Sequence, residues 1–188
     1  MAGQHITVAL AGQPNVGKST VFTLLTGLSQ YVSNWPGKTC EHRCGHYRHG
    51  DVEVHVVDLP GTYSLTANSP EERDARDFLL RERPEVVAVI ADATALERNL
   101  YLVAELLYLP VPIVLGLNMT DVAHQLGLRI EPHVLEAALG LPVVPMVATR
   151  NEGVRAARGE IGQHNRPEIR DDHRAVLDDL LRLIAGRV

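Results

Sequence analysis

The sequence predicts an α/β fold: a six-stranded, mostly parallel sheet with one antiparallel edge strand and helices on both faces. Three observations lead there. Apolar runs alternate with helical patterns along the chain, the βαβ signature. Residues 6–11, 86–91 and 111–117 are near-continuous in apolar side chains, as strands covered on both faces must be. Between the first run and a helical pattern stands Gly12-Gln13-Pro14-Asn15-Val16-Gly17-Lys18-Ser19, which reads G-x-x-x-x-G-K-S, a phosphate-binding loop. With 188 residues, 45% of them hydrophobic, the chain can form one such domain with a full core.

Taken in order, residues 5–11 make the first strand and 20–25 the first helix. A loop between them aims backbone N–H groups and a helix N-terminus at one spot, which suits a polyphosphate. Gly12 and Gly17 let the backbone approach phosphate without a Cβ in the way. Residues 31–41 form a polar loop containing Gly and Pro. Residues 41–49 and 52–58 form a hairpin closed by Gly50-Asp51, which makes one edge strand antiparallel. After the strand at 86–91, Leu96, Leu100, Val103 and Leu107 recur at helical spacing and should face the sheet. A strand at 111–117 and a sixth at 142–147 complete the sheet. Residues 158–167 read as a linker to a last amphipathic helix at 171–185, with Val176, Leu180 and Ile184 on its apolar stripe. The main domain is therefore expected over 1–157, with linker and helix over 158–188.

Charge and cysteine content narrow the function. The net charge is −5, the pI about 6.0, and no run of Lys and Arg occurs, which speaks against a nucleic-acid partner. There is no signal peptide and no apolar run near the ~18 residues of a membrane span, so the chain reads as soluble and cytoplasmic. Cys40 and Cys44 are too few for a disulfide scaffold and read as reduced thiols.

Four further stations fall where a nucleotide would need them. In the phosphate loop, Lys18 reaches for the β- and γ-phosphates and the Ser19 hydroxyl for Mg²⁺. Asp58-Leu59-Pro60-Gly61 ends a strand: its carboxylate can hold a water on Mg²⁺ and the Gly61 N–H can sense a γ-phosphate, although Asp-x-Pro-Gly is also plain turn chemistry. Asn118-Met119-Thr120-Asp121 follows the strand at 111–117, at the carboxyl edge where open α/β sheets bind ligands. A carboxylate there accepts from guanine N1–H and the exocyclic amine, and adenine would leave it unpaired. A helix cap is the plainer use of Asn118 or Asp121. Val147-Ala148-Thr149 follows the sixth strand, and the Ala148 N–H can meet guanine O6. Thr39, in the polar loop, can complete Mg²⁺ coordination when GTP is bound.

These segments together resemble the TRAFAC-class GTPases. Gly12–Thr20, Asn34-Trp35-Pro36-Gly37-Lys38-Thr39, Asp58-Leu59-Pro60-Gly61-Thr62-Tyr63-Ser64-Leu65, Asp92-Ala93-Thr94-Ala95-Leu96-Glu97-Arg98-Asn99-Leu100-Tyr101-Leu102 and Asn118-Met119-Thr120-Asp121 are similar to the cytoplasmic G domain of the bacterial ferrous iron transporter B family. The resemblance runs from about Ile6 to Gly153. It implies a Ras-like P-loop GTPase that binds GTP and GDP with Mg²⁺, hydrolyses GTP slowly, and regulates Fe²⁺ uptake through a following polytopic membrane domain. Such a protein would sit at the cytoplasmic face of the bacterial inner membrane, with homo-oligomer formation, if any, through that membrane domain. Carried over by motif position, nucleotide contacts fall on Gly12 to Thr20, Gly37, Lys38, Thr39, Asp58 to Gly61, Asn118, Met119, Asp121, Val147, Ala148 and Thr149. Ser19, Thr39 and Asp58 fall to Mg²⁺.

Departures from that pattern bear on mechanism. Thr62 stands after Gly61 where Ras-like proteins place a water-orienting Gln. Asn15 stands where potassium-stimulated members of the class carry Asn, so its amide oxygen is the candidate K⁺ ligand. Hydrolysis would then rest on Asn15, Lys18, Thr39 and Gly61 without a side-chain base. Val147 replaces a usual Ser, a small change where the contact is made by backbone. Only residues 154–188 follow Gly153, too few for a helical bundle and membrane spans, so an excised domain or abbreviated relative is expected. Cys40, His42, Cys44 and His46 alternate on one face of a strand, but ligands spread over ~20 Å cannot close on one ion, and a polar solvent face explains them. Two other functions compete: a nucleotide-gated binding module whose hydrolysis is incidental, and a free-standing GTPase of ribosome assembly.

Overall fold

The computed structural model describes residues 4–27, 34–35, 38–39, 42–66 and 68–163, with backbone alone at 4, 34, 35, 38 and 39. In chain order the strands are β1 (Gln4–Gly12), β2 (Asn34–Trp35), β3 (Lys38–Thr39), β4 (Arg43–His49), β5 (Val52–Asp58), β6 (Val86–Asp92), β7 (Ile113–Asn118) and β8 (Val143–Pro145). The helices are α1 (Lys18–Thr26), α2 (Pro70–Glu82), α3 (Leu96–Leu106), α4 (Thr120–Gln125), α5 (Pro132–Leu139) and α6 (Val154–Gln163). The main sheet has six strands in the order β4-β5-β1-β6-β7-β8. All neighbours are parallel except β4 and β5, whose antiparallel register runs from Arg43 opposite Asp58 to His49 opposite Val52. β2 and β3 pair separately.

Burial on both faces explains the unbroken apolar runs. β1 sends Val8 and Leu10 to one side and Ala9 and Ala11 to the other. The Val8 side packs against Phe22 and Leu25 of α1 and Ile161 of α6. The Ala9 side packs with Val57, Val89 and Leu115 against Leu79 of α2 and Leu102, Val103 and Leu106 of α3. Each such aliphatic side chain, fully buried, stabilises the fold by about 1.5–3 kcal/mol. The stripe predicted for α3 is the inner face, with Leu96, Leu100 and Leu107 at its margin and Leu102 and Leu106 added at its centre.

Four expectations change. β7 begins at Ile113, because Pro112 brings no N–H to the ladder and Val111 N–H turns back to the Leu109 carbonyl. β8 is shorter than expected, since Pro145 ends it and Val147 bridges to Glu152 instead. Residues 158–163, expected as linker, are the second half of α6. Ile161 is buried there, and the Arg158 guanidinium donates to the Leu24 carbonyl at 2.7 Å and to that of Leu25. The helix expected at 171–185 lies outside the described residues. Finally, Cys44 is buried and disulfide-bonded, not a reduced thiol; Cys40 lies outside the described residues.

Helices α2 and α5, like the short α4, fall on stretches the periodicity left unassigned. α2 is mostly charged, with only Ala75 and Leu79 buried, so its apolar pattern is thin. Its start is legible in Ser69-Pro70-Glu71-Glu72: Ser69 Oγ accepts from Glu72 N–H at 3.1 Å, with Pro in the first turn. α5 likewise begins on a proline, Pro132, and ends at Gly140. Among the described residues, no helix is long and apolar enough to cross a membrane.

Candidate functional site

The carboxyl ends of β1, β5, β6, β7 and β8 share one rim, and the predicted stations gather there. Register explains the first pairing. Leu10 stands opposite Asp58, so the end of β5 lies beside the strand that opens into the phosphate loop. Lys18, in the first turn of α1, donates to Asp58 Oδ1 and to the Leu59 carbonyl at 2.5 Å. Both side chains are nine-tenths or more buried, at 10% and 5% exposure. The Asp58 turn is bound to the phosphate loop from the other side too, because Thr62 N–H donates to the Gly12 carbonyl at 3.1 Å. Gly61 packs on Pro14; a Cβ there would come within 3.2 Å of the Pro14 backbone. Thr62, where a water-orienting Gln is absent, is buried and donates its hydroxyl to the Ser64 carbonyl at 2.6 Å.

On the opposite side, Asn118 ends β7 next to Asp92 of β6. Its amide Nδ2 donates to the Val16 carbonyl at 2.9 Å, and its Oδ1 accepts from the Ala148 N–H at 3.0 Å. The side chain thus joins the phosphate loop to the segment after β8. Gly17, at a φ of 86°, lies so close that a Cβ would strike Asn118 Nδ2, so this glycine answers to both conformation and space. The sequence reading has Asn118 touching the base and the Ala148 N–H meeting guanine O6. In this arrangement the two groups are bonded to each other, so Asn118 also fastens the frame of the rim. Met119 takes a left-handed conformation that starts α4, and Thr120 Oγ1 donates to the Met146 carbonyl at 3.1 Å. Asp121 follows in the first turn, partly exposed, with the Arg150 guanidinium 3.6 Å from its carboxylate. Thr149 lies in the short 3₁₀ turn after Val147, and Leu59 is buried.

The structure therefore brings Gly12 to Thr20, Asp58 to Gly61, Asn118, Asp121 and Ala148 to one rim. Asn15 and Ser19 are exposed on it, and Asn15 has a left-handed φ of 67°. Lys38 and Thr39 are described only as backbone of β3, and Gly37 lies outside the described residues. His42, Cys44 and His46 do not converge. His42 lies 3.6 Å from Asp74 and edge-on to Phe78, while His46 stacks toward His55.

Several contributors escaped the sequence reading. Arg43 lies 3.8 Å from Asp58 Oδ2 and over the Phe22 ring, and the hairpin register that places it opposite Asp58 was the available signal. Glu105 of α3 accepts from Ser64 Oγ at 3.0 Å and from Leu65 N–H at 2.5 Å, anchoring the loop after Gly61. Gln13 is buried and donates to the Arg98 carbonyl at 2.7 Å. No local pattern marks either contact. A groove of about 940 Å³ runs beside the rim between Tyr63, Arg98, Tyr101 and Ile130; of the predicted stations it touches only Gln13.

Comparison with known proteins agrees with this geometry. The family model described as ferrous iron transport protein B matches residues 6–161. The Fe(2+) transporter FeoB of Salmonella typhimurium is 43% identical over 166 residues, which is 86% of this chain and 22% of that protein. The chain thus spans about a fifth of the length of such relatives. The FeoB G-domain of Methanococcus jannaschii superposes with a TM-score of 0.77 at 41% identity, over 86% of this chain and 98% of that one. The cytosolic domain of Thermotoga maritima FeoB in its GDP form gives 0.80 at 37% identity, over 89% and 66%.

Proposed function

Because the chain belongs to the ferrous iron transport protein B family, we propose that it binds GTP and GDP at this rim and hydrolyses GTP slowly. It would thereby regulate Fe²⁺ passage through a membrane domain at the cytoplasmic face of the bacterial inner membrane. One observation carries the reading: Asn118, three residues before Asp121, ties the phosphate loop that leads into Lys18 to the Ala148 segment. The relative solved in its GDP form supports the choice of nucleotide.

The residues fit a magnesium nucleotide. Lys18, a buried cation in the first turn of a helix, matches phosphate oxygens, which would draw it from Asp58. Hydroxyl and carboxylate oxygens suit a hard cation, so Ser19, Thr39 and Asp58 are the proposed Mg²⁺ holders. When bound, Mg²⁺ neutralises charge on the β- and γ-oxygens. In hydrolysis a water oxygen bonds to the γ-phosphorus while the bridge to the β-phosphate breaks, giving GDP and phosphate. Gly61, fixed on Pro14, would present its N–H to the γ-phosphate, and Thr62 offers no base because its hydroxyl is donated to Ser64. Asn15, exposed at the crown of the loop, would hold K⁺ by its amide oxygen beside the developing charge.

The test is a titration with labelled GDP, GTP and ATP analogues in K⁺ and in Na⁺, followed by single-turnover hydrolysis. Guanine nucleotides should bind at least about 100-fold more tightly than ATP, and turnover should be faster in K⁺. Equal affinity for ATP overturns the base assignment. Turnover at the same rate in both salts, unchanged by Asn15→Ala, overturns the K⁺ assignment, and no turnover at all favours a nucleotide-gated binding module.

A further inference from the structure

At the other end of the same strands the sheet carries a cluster that nucleotide chemistry does not use. His5 of β1 stands opposite Glu53 of β5, and His55 follows two residues on, so all three side chains share one face of the sheet. That is the face on which Ala9, Ala11 and Val57 are covered by α2 and α3. Cover is incomplete at this end: His5 is exposed while Glu53 and His55 are half-buried. His5 Nδ1 lies 3.1 Å from Glu53 Oε2. One ligand atom from each of the three residues lies within 4.8 Å of the others. The His55 ring is 5.7 Å from that of His5 and 6.1 Å from that of His46, its antiparallel neighbour on β4.

The geometry points to a binding site for one divalent first-row transition-metal ion, held by His5, Glu53 and His55 at the end of the sheet remote from the nucleotide. Two ligands at about 2.1 Å from a common ion stand about 3.4 Å apart in a tetrahedron. The His5–Glu53 pair meets that spacing already, and His55 needs only a side-chain rotation of the order of an ångström. Two imidazoles with one carboxylate match the preferences of Zn²⁺, Co²⁺ or Fe²⁺ and not those of Mg²⁺, which takes oxygen. Burial, with the neighbouring His5 and His46, holds His55 below the usual histidine range despite Glu53 and Glu85. His46 is placed to become a fourth ligand, since it lies directly across from His55. Two strands, β1 and β5, supply the three ligands. This is why the alternating Cys and His of β4 could not reveal the site from spacing alone.

Tag-free chain is titrated with Co²⁺ and followed by its visible d–d absorption, with Zn²⁺ then added as competitor. One equivalent should bind and be displaced by Zn²⁺ but not by a similar concentration of Mg²⁺. His5→Ala, Glu53→Ala and His55→Ala should each weaken binding by about 100-fold or more, the loss of a direct ligand exceeding that of an outer-shell partner. His42→Ala, at the far end of β4, should leave it unchanged. GDP affinity of every variant serves as the folding control, because the nucleotide rim lies at the opposite end of the strands. Absence of stoichiometric binding, displacement by equimolar Mg²⁺, or binding indifferent to the three ligand substitutions in GDP-competent protein each overturns the site.

Discussion

The two halves of the rim are held together by different kinds of bond. On the base side, Asn118 satisfies two backbone groups, the Val16 carbonyl and the Ala148 N–H, in a buried position. On the phosphate side, Lys18 pairs with Asp58 side chain to side chain and also donates to the Leu59 carbonyl, with Arg43 3.8 Å from the same carboxylate. The first arrangement has no spare partner, so disturbing it orphans buried polar groups. The second is made of charges that any stronger anion or cation can separate. A rim built this way keeps its frame fixed while the charged groups proposed to meet the nucleotide remain exchangeable.

The severest way to break the comparison is Asn118→Ala. It should lower unfolding free energy by about 2–4 kcal/mol, because two buried backbone groups lose their partners, and it should abolish nucleotide binding; thermal melts and a labelled-GDP titration check both. Lys18→Ala should instead reduce GDP and GTP affinity by roughly 100-fold or more, with a smaller fall in melting temperature than Asn118→Ala. A larger fall would show the phosphate side to be the structural one. Asp121→Asn sharpens the base side. GTP affinity should drop by an order of magnitude or more while xanthosine nucleotides gain, since xanthine O2 accepts where guanine donates.

Glu105→Gln tests whether the loop after Gly61 belongs to the frame. Loss of the charge-assisted bond to Leu65 N–H should raise hydrogen exchange at that amide by about 3- to 10-fold, at a cost near 1 kcal/mol, and leave GDP affinity almost unchanged. The smallest effect is expected far from the rim. His55 has a pKa lowered by burial below its ordinary 6.5, so the unfolded chain binds more protons. Its contribution to stability is whole above about pH 6.5 and is lost as pH falls through the lowered value. His55→Gln should flatten that part of a stability-against-pH curve without moving GDP affinity.

Much of this architecture is legible before folding. The runs at 6–11 and 86–91 are apolar because both faces of the sheet are covered, and the spacing from Gly12 to Ser19 states a phosphate loop in one local pattern. Helix α2 was hidden because a helix with only Ala75 and Leu79 buried carries almost no apolar period. The bonds of Glu105 to Leu65 and of Gln13 to Arg98 were hidden for another reason. They join residues 40 and 85 positions apart, and no local rule chooses such partners.

The sequence by itself determined the strand order's raw material, the phosphate loop and the types of the residues proposed to face the nucleotide, since each is written in contiguous residues whose backbone preferences and periodicity act locally. Only the tertiary structure decided that Asn118 spends both ends of its amide on the frame, that Arg43 stands by Asp58, and that His5, Glu53 and His55 share one corner. Strand register sets these meetings, and register is fixed by the packing of the whole sheet against its helices.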